Sequence, residues 1–107
     1  MFKIIAIVFR NMLELRPTCE HCNKPLPYNS TEAMICTFEC TFCEECVSEL
    51  LMNVCPNCGG GFVSRPIRPK SYLEKYPPGT VPVYKPFDLV THAVRIQNLS
   101  NIHPKDR

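Results

Sequence analysis

The sequence predicts a small α+β module whose folded state depends on cysteine ligation rather than on a large apolar core. Three observations predict it. All eight cysteines of the 107 residues fall between Cys19 and Cys58, arranged as four short two-cysteine clips. The chain has no Trp, six Phe and four Tyr, too few large side chains to offset chain entropy unaided. Strand-like and helix-like runs alternate between the clips, and a Pro-rich tail follows them. The length allows one modest domain and excludes the barrels and doubly wound sheets of large enzymes.

The first element in chain order is the apolar run of six from Ile4 to Phe9, flanked by Lys3 and Arg10. A secretory signal needs about 7–15 apolar residues and a small-residue cleavage site, and a bilayer span needs about 20 residues. The run is expected to be neither. Met12 is an alternative start, and residues 1–15 are expected to be an N-terminal extension, residues 1–11 being an extension or a short edge strand. Without an export signal, the expected location is the cytoplasm, where thiols stay reduced and disulfides are disfavoured.

Residues 16–69 hold the cysteine domain, with the pattern Cys19-x2-Cys22-x13-Cys36-x3-Cys40-x2-Cys43-x2-Cys46-x8-Cys55-x2-Cys58. Two sulfurs at this spacing can reach one tetrahedral ion, because the tight turn between them directs both side chains to one side. Four clips make two four-sulfur sites with none left over. They can pair in three ways. Nested pairing crowds Cys36, Cys40, Cys43 and Cys46 onto one ion; sequential pairing gives two nearly independent lobes. Crossed pairing joins Cys19, Cys22, Cys43 and Cys46 on one ion, and Cys36, Cys40, Cys55 and Cys58 on the other.

Local structure favours the crossed form, with sequential lobes as the alternative. Thr31 to Phe38 reads as a strand, with Met34, Ile35 and Phe38 available to pack. Glu44 to Met52 reads as a short helix with acids in its first turn, where the helix dipole favours them. Val47, Leu50, Leu51 and Val54 give it one apolar stripe. Such a helix is marginal alone and needs the flanking sites to hold it. Phe62 and Val63 are expected to form a closing strand over Leu50 and Leu51. Knuckle, strand pair, then a helix whose first turn supplies two ligands is the treble-clef order. The Gly59-Gly60-Gly61 run relaxes the chain after the last clip and lets backbone N–H groups turn toward thiolates.

Residues 70–107 are expected to be a basic, partly irregular tail, because six prolines between Pro66 and Pro86 exclude a long helix or central strand there. The segment from Arg65 to Lys70 reads either as a rigid basic recognition element or as a polyproline-like exit from the domain. His92 and His103 are expected to be solvated, and His21, inside the first clip, is not expected to be a ligand.

Charge is divided unevenly. Residues 1–18 carry a net +2, residues 19–58 a net −5 and residues 59–107 a net +5. Two zinc ions held by eight thiolates would lower the formal total from +2 to about −2. An acidic centre argues against nucleic acid as the main partner of the cysteine domain, since phosphate binding needs a basic face. Six glutamates surround the clips, but no partner histidine or serine and no open metal position accompanies them. They are expected to be solvated surface, and no small-molecule substrate or catalytic residue is evident.

The crossed spacing resembles the RING finger, with Cys40 where that family usually has histidine, and Cys55-Pro-Asn-Cys58 matches its last clip. Asn23, Gly59 and the lack of Trp depart from the ligase pattern, so the resemblance implies the metal scaffold and leaves a ligase-accessory role as an alternative. A closer resemblance runs through Met12-Leu-Glu-Leu-Arg-Pro-Thr-Cys-Glu-His-Cys22, Phe38-Glu-Cys-Thr-Phe-Cys43, Cys55-Pro-Asn-Cys-Gly-Gly60 and Arg65-Pro-Ile-Arg-Pro69. This looks like a bacterial family of short cysteine-rich proteins, domain of unknown function 1272. The resemblance covers roughly residues 12–69, weakens over Tyr72 to Lys85, and is not expected to include Phe87 to Arg107. It implies a bacterial, cytoplasmic, zinc-binding protein and supplies no activity.

Iron–sulfur chemistry is the main rival, because Cys40-x2-Cys43-x2-Cys46 copies a ferredoxin clip. One cluster would leave Cys19, Cys22, Cys36 and Cys58 unexplained, whereas two structural Zn2+ ions account for all eight thiols. A thiol-redox role has weaker support, since a catalytic pair belongs in a larger α/β fold. The expected function is therefore a non-catalytic zinc-binding module that presents a surface to a protein partner, with no membrane partner.

Overall fold

The computed structural model describes residues 12–107, so the extension or edge strand expected over residues 1–11 lies outside the described residues. The chain closes around Phe42, which is wholly buried among Cys19, Leu26, Val47, Leu51 and Phe62. Phe42 lies in β2 (Thr41–Cys43), whose three residues are all buried. The middle strand is β1 (Ala33–Ile35), antiparallel to β2 with Met34 opposite Phe42. On its other side runs β3 (Val63–Ser64), giving a three-stranded sheet in the order β2-β1-β3.

The expected strand over Thr31 to Phe38 is thus cut to three residues, and the second clip is the reason. Cys36 and Cys40 must face the same way, so the chain turns between them. The Glu39 N–H donates to the Cys36 carbonyl at 3.0 Å, and Glu39 takes a left-handed φ of 63°. Phe38 sits at the tip of this turn, 71% exposed, rather than packing. β3 also differs from expectation. It adds to β1 instead of covering the helix; Phe62 turns inward, edge-on to Phe42 at 5.5 Å between ring centroids, while Val63 faces out.

The helix after Cys43 begins as expected and then widens. α1 (Glu44–Cys46) is one turn, capped by the Cys43 sulfur, which accepts from the Cys46 N–H at 3.5 Å. It runs into a π-helical segment (Val47–Leu51) that ends at Met52 and Asn53, both in the left-handed region. In the wider turn Val47 and Leu51 face the core, and Leu50 rotates to the surface. The anticipated stripe of Val47, Leu50, Leu51 and Val54 therefore holds at three positions and fails at Leu50.

The tail contains more order than its prolines suggested. A 3-10 turn (Lys70–Tyr72) interrupts an extended course, and then α2 (Leu89–Leu99) forms. Asp88 caps it, accepting from the Val90 N–H at 3.1 Å and the Thr91 hydroxyl at 2.7 Å. A second 3-10 turn (Pro104–Asp106) follows, capped by the exposed His103. Residues 86–107 form an arm that lies back on the cysteine domain. Phe87 is the hinge of the docking: its ring lies 4.1 Å from that of His21 and 5.1 Å from that of His92, and 6.5 Å from Phe42. No helix among the described residues is long and apolar enough to cross a membrane.

His92, expected in solvent, is 1% exposed. Its Nε2 lies 3.2 Å from the Leu51 carbonyl and its Nδ1 3.3 Å from Arg95 Nη1. The guanidinium can only donate, so Nδ1 accepts and Nε2 carries the proton given to Leu51. Burial, with the Arg95 charge adding to it against the Leu51 hydrogen bond, holds the His92 pKa below its ordinary value. A histidine with a lowered folded pKa stabilises above its unfolded pKa, and that contribution is lost as pH falls through the folded value. In an NMR titration His92 should therefore titrate below about 6.5. The nuclear Overhauser contacts between the Phe87 and His92 rings should weaken as pH falls through the lowered His92 value. Titration of His92 at or above the ordinary value would contradict this arrangement.

Candidate metal centres

The first clip is a knuckle closed by backbone bonds. The Cys19 N–H donates to the Lys24 carbonyl at 2.9 Å and the Asn23 N–H to the Cys19 carbonyl at 3.0 Å, with Asn23 at φ 62°. This turn faces Cys19 and Cys22 toward Cys43, at the end of β2, and Cys46, at the end of α1. The four sulfurs lie within 4.8 Å of one another. Cys19 and Cys46 are 3.8 Å apart, as are Cys22 and Cys43.

The second group draws Cys36 from the end of β1, Cys40 from the start of β2, and Cys55 from the turn after the π-helical segment. These three sulfurs also lie within 4.8 Å of one another. Cys58, the other half of the Cys55 clip, is exposed and does not lie within 4.8 Å of all three. The grouping is the crossed one, complete in the first set and three-sulfured in the second. It divides the ferredoxin-like triplet, placing Cys40 in one group and Cys43 with Cys46 in the other.

The first group has the dimensions of a four-thiolate metal site. With Zn–S bonds of 2.3 Å, the edge of a tetrahedral four-sulfur site is about 3.8 Å. The two measured edges equal this, and all eight cysteines are unbridged. Backbone N–H groups also turn toward the sulfurs: those of Phe38, Asn57 and Gly60 each lie 3.4 Å from Cys36, Cys55 and Cys58 respectively. Such donors orient and stabilise thiolates around a metal. Burial first, and then the charge of neighbouring cysteines, pushes the Cys46 thiol far above its ordinary value. Burial likewise raises Cys40, Cys43 and Cys55. Cys22, at the rim, is lowered: burial acts upward on it, but the Lys24 backbone hydrogen bond and those with neighbouring thiols outweigh it. Sulfurs gathered this closely cannot all ionise without a cation among them. The donor set therefore fits a divalent ion.

One buried group between the two sets was not anticipated. Glu20, grouped by sequence with the solvated acids, is 2% exposed. Its Oε2 accepts from Arg16 Nη1 at 2.6 Å and from the Thr41 N–H at 2.7 Å, and its Oε1 from Asn57 Nδ2 at 3.4 Å. Glu20 sits inside the first clip, Thr41 directly after Cys40, and Asn57 inside the last clip. One carboxylate thus ties the two sulfur groups together. The other glutamates of the region are exposed or half-buried, and the Lys24–Glu32 pair at 2.7 Å is exposed at both ends.

The Arg65–Lys70 segment is neither a free recognition element nor a plain exit. Arg65 is 3% exposed and donates to the carbonyls of Arg16, Leu26 and Pro27 at 2.8, 3.1 and 2.9 Å. Burial, with the charge of Arg68 adding to it, lowers its pKa. Arg68 donates to the Leu13 and Tyr76 carbonyls at 2.7 and 2.9 Å. Both guanidiniums bind main chain of the same molecule. His21, as expected, joins neither sulfur group; its Nδ1 accepts from the Phe87 N–H at 3.4 Å.

These features define a class: a small α+β protein with two interleaved cysteine groups of metal-binding geometry. Residues 12–68 match the family described as "Protein of unknown function (DUF1272)", and the chain belongs to that family. "Uncharacterized protein R02474" of Rhizobium meliloti (strain 1021) is 59% identical over 75 residues, covering 70% of this chain and 89% of that protein. No solved structure matches the chain significantly.

Removing the carboxylate of Glu20 leaves the buried Thr41 N–H without its acceptor and the half-buried Arg16 with only its longer contact to the exposed Glu14. Glu20→Ala should cost about 1.5–3 kcal/mol, the loss typical of a charged hydrogen bond whose buried donor is left unpaired. Urea denaturation at fixed free zinc measures it. A loss below about 1 kcal/mol would place the pair with ordinary surface pairs instead.

Proposed function

We propose that this chain is a non-catalytic scaffold with two structural zinc sites, of treble-clef or RING-like type, that presents a surface to a protein partner in the cytoplasm. The single observation carrying the metal reading is the first sulfur group, whose 3.8 Å edges match a four-thiolate zinc site. In that site Cys19, Cys22, Cys43 and Cys46 are the ligands. Cys36, Cys40 and Cys55, closed by Cys58, hold the second ion. A zinc ion so enclosed has no position for a bound water and supplies cross-linking rather than Lewis-acid chemistry. The treble-clef assignment rests on the order of knuckle, β1–β2 pair and an α1 whose ends are Cys43 and Cys46.

The partner reading rests on the outer face of α1 and the π-helical segment. Glu44, Glu45 and Glu49 are exposed there, beside the exposed Leu50 and Met52. Apolar side chains ringed by like charges suit a partner with a basic rim around an apolar contact.

The purified protein should contain two zinc ions per chain, show no visible absorption band, and lose its fold to a strong chelator, since structural zinc contributes roughly 10–16 kcal/mol of apparent binding energy. Elemental analysis with an absorption spectrum checks this; iron with labile sulfide would overturn the zinc reading. Because the groups interleave, Cys43→Ser should disorder the whole sheet, measured by circular dichroism and NMR. Disorder confined to the Cys55–Cys58 half would instead indicate independent lobes.

A further inference from the structure

The two sulfur groups are unequal, and the arm lies on the weaker one. Cys58 does not lie within 4.8 Å of all three of Cys36, Cys40 and Cys55, and it sits at the exposed start of the loop Cys58–Gly61. Main chain fixes part of that loop: the Gly59 N–H donates to the Cys55 carbonyl, and the Cys55 N–H to the Gly60 carbonyl, each at 2.8 Å. Further contacts come from the arm. Arg107 Nη1 donates to the Gly59 carbonyl at 3.1 Å and to the Asn53 carbonyl at 2.8 Å, so one guanidinium spans both ends of the turn that carries Cys55 and Cys58. The same side chain is braced by its Nε, which donates to the Ile102 carbonyl at 2.9 Å.

The glycines show how closely the arm approaches. A Cβ at Gly59 would lie 3.0 Å from Leu99 Cδ1, and Gly59 already has a φ of +78°. A Cβ at Gly61 would lie 2.9 Å from Pro104 Cγ. Two of the three consecutive glycines therefore make room for another segment of the chain, beyond easing the turn itself.

We infer that the arm, through Arg107, Leu99 and Pro104, positions the fourth ligand of the second zinc site, so that metal retention there depends on whether the arm is docked. These are positioning residues: none touches the ion, and each acts on the backbone that places Cys58. The inference rests on the two-zinc reading above. The four sulfurs of the first site are already gathered, and its contact with the arm, Phe87 against His21, does not run through Arg107, Leu99 or Pro104.

The test is zinc competition against a chromophoric chelator, with the full chain, read as two separate affinities. Cys58→Ser identifies which affinity belongs to the second site. Arg107→Ala and Leu99→Ala should weaken that same affinity roughly 10–100-fold, the range seen when groups supporting a ligand are lost, and leave the other unchanged. Arg107→Lys, able to reach one carbonyl at a time, should fall between. Hydrogen exchange at the Gly59 and Gly60 amides should quicken in the same variants. Two zinc ions bound at wild-type affinities in both Arg107→Ala and Leu99→Ala would overturn the inference while sparing the two-zinc reading. Equal weakening of both sites would also overturn it, since that is the mark of general destabilisation. A wild-type chain that binds fewer than two zinc ions overturns both.

Discussion

The interleaving of the clips is the constraint on which the rest of this structure depends. Cys43 and Cys46 lie between the two halves of the second group, and Cys36 and Cys40 lie between the two halves of the first. Neither set of sulfurs can converge unless the segment belonging to the other is already folded back. Strand pairing follows from this topology. β1 and β2 are joined by the turn between Cys36 and Cys40 and must run antiparallel. α1 must begin at once after β2, because Cys43 closes the strand and caps the helix. A sheet of strands only two or three residues long and a helix of one regular turn have no independent stability. They persist because both ends of each are anchored.

Charge deepens the coupling. A carboxylate placed in a dry pocket is costly unless its lone pairs are satisfied. Glu20 meets that condition by collecting donors from three places: the segment before the first clip, the start of β2 and the last clip. Arg65 does the reverse, collecting carbonyls from Arg16, Leu26 and Pro27 at the edge of the first knuckle. The Glu20 carbonyl also accepts from the Lys85 N–H at 2.8 Å. The end of the Pro-rich course is therefore fastened to the same residue that joins the sulfur groups. A network of this kind adds little net stability over an apolar substitute, but it penalises any arrangement in which one member is misplaced.

The clips are legible in sequence because ligand spacing is a geometric signal carried by single residues; spacing alone leaves three pairings, and the strand and helix between the clips are what favour the crossed one. Cys43 as the helix start was legible for the same reason, since acids follow it immediately. What escaped reading depends on partners distant along the chain. Nothing local distinguishes Glu20 from Glu44 or Glu45: all three lie beside a cysteine, and only tertiary placement buries the first. The strand over Thr31 to Phe38 was overextended because its β-forming residues outnumber those that the Cys36–Cys40 turn leaves free. The π-helical widening moves Leu50 outward against its helical spacing, and no residue in the run announces it. The arm escaped because proline counts describe the course up to Pro86, whereas Asp88 and Thr91 signal a helix after it. The glycine run was read as slack in the chain. Its residues are also the clearance for Leu99 and Pro104, and glycine alone does not reveal which purpose it serves.

The arm changes what the module can expose. Its docking surface is built from groups that also serve the centres: His21 within the first clip, the Leu51 carbonyl at the end of the π-helical segment, and the turn that carries Cys55 and Cys58. The aromatic contact of Phe87 with His21 and Phe42 supplies packing that the cysteine domain lacks by itself. The apolar core and the sulfur groups are thus adjacent structures sharing residues, not layers that could be exchanged independently. The acidic outer face of α1 and the π-helical segment belongs to the same element whose end the arm holds through His92. The acidic face and the arm therefore meet on one segment of eight residues, Glu44–Leu51, whose last carbonyl is the one that His92 holds.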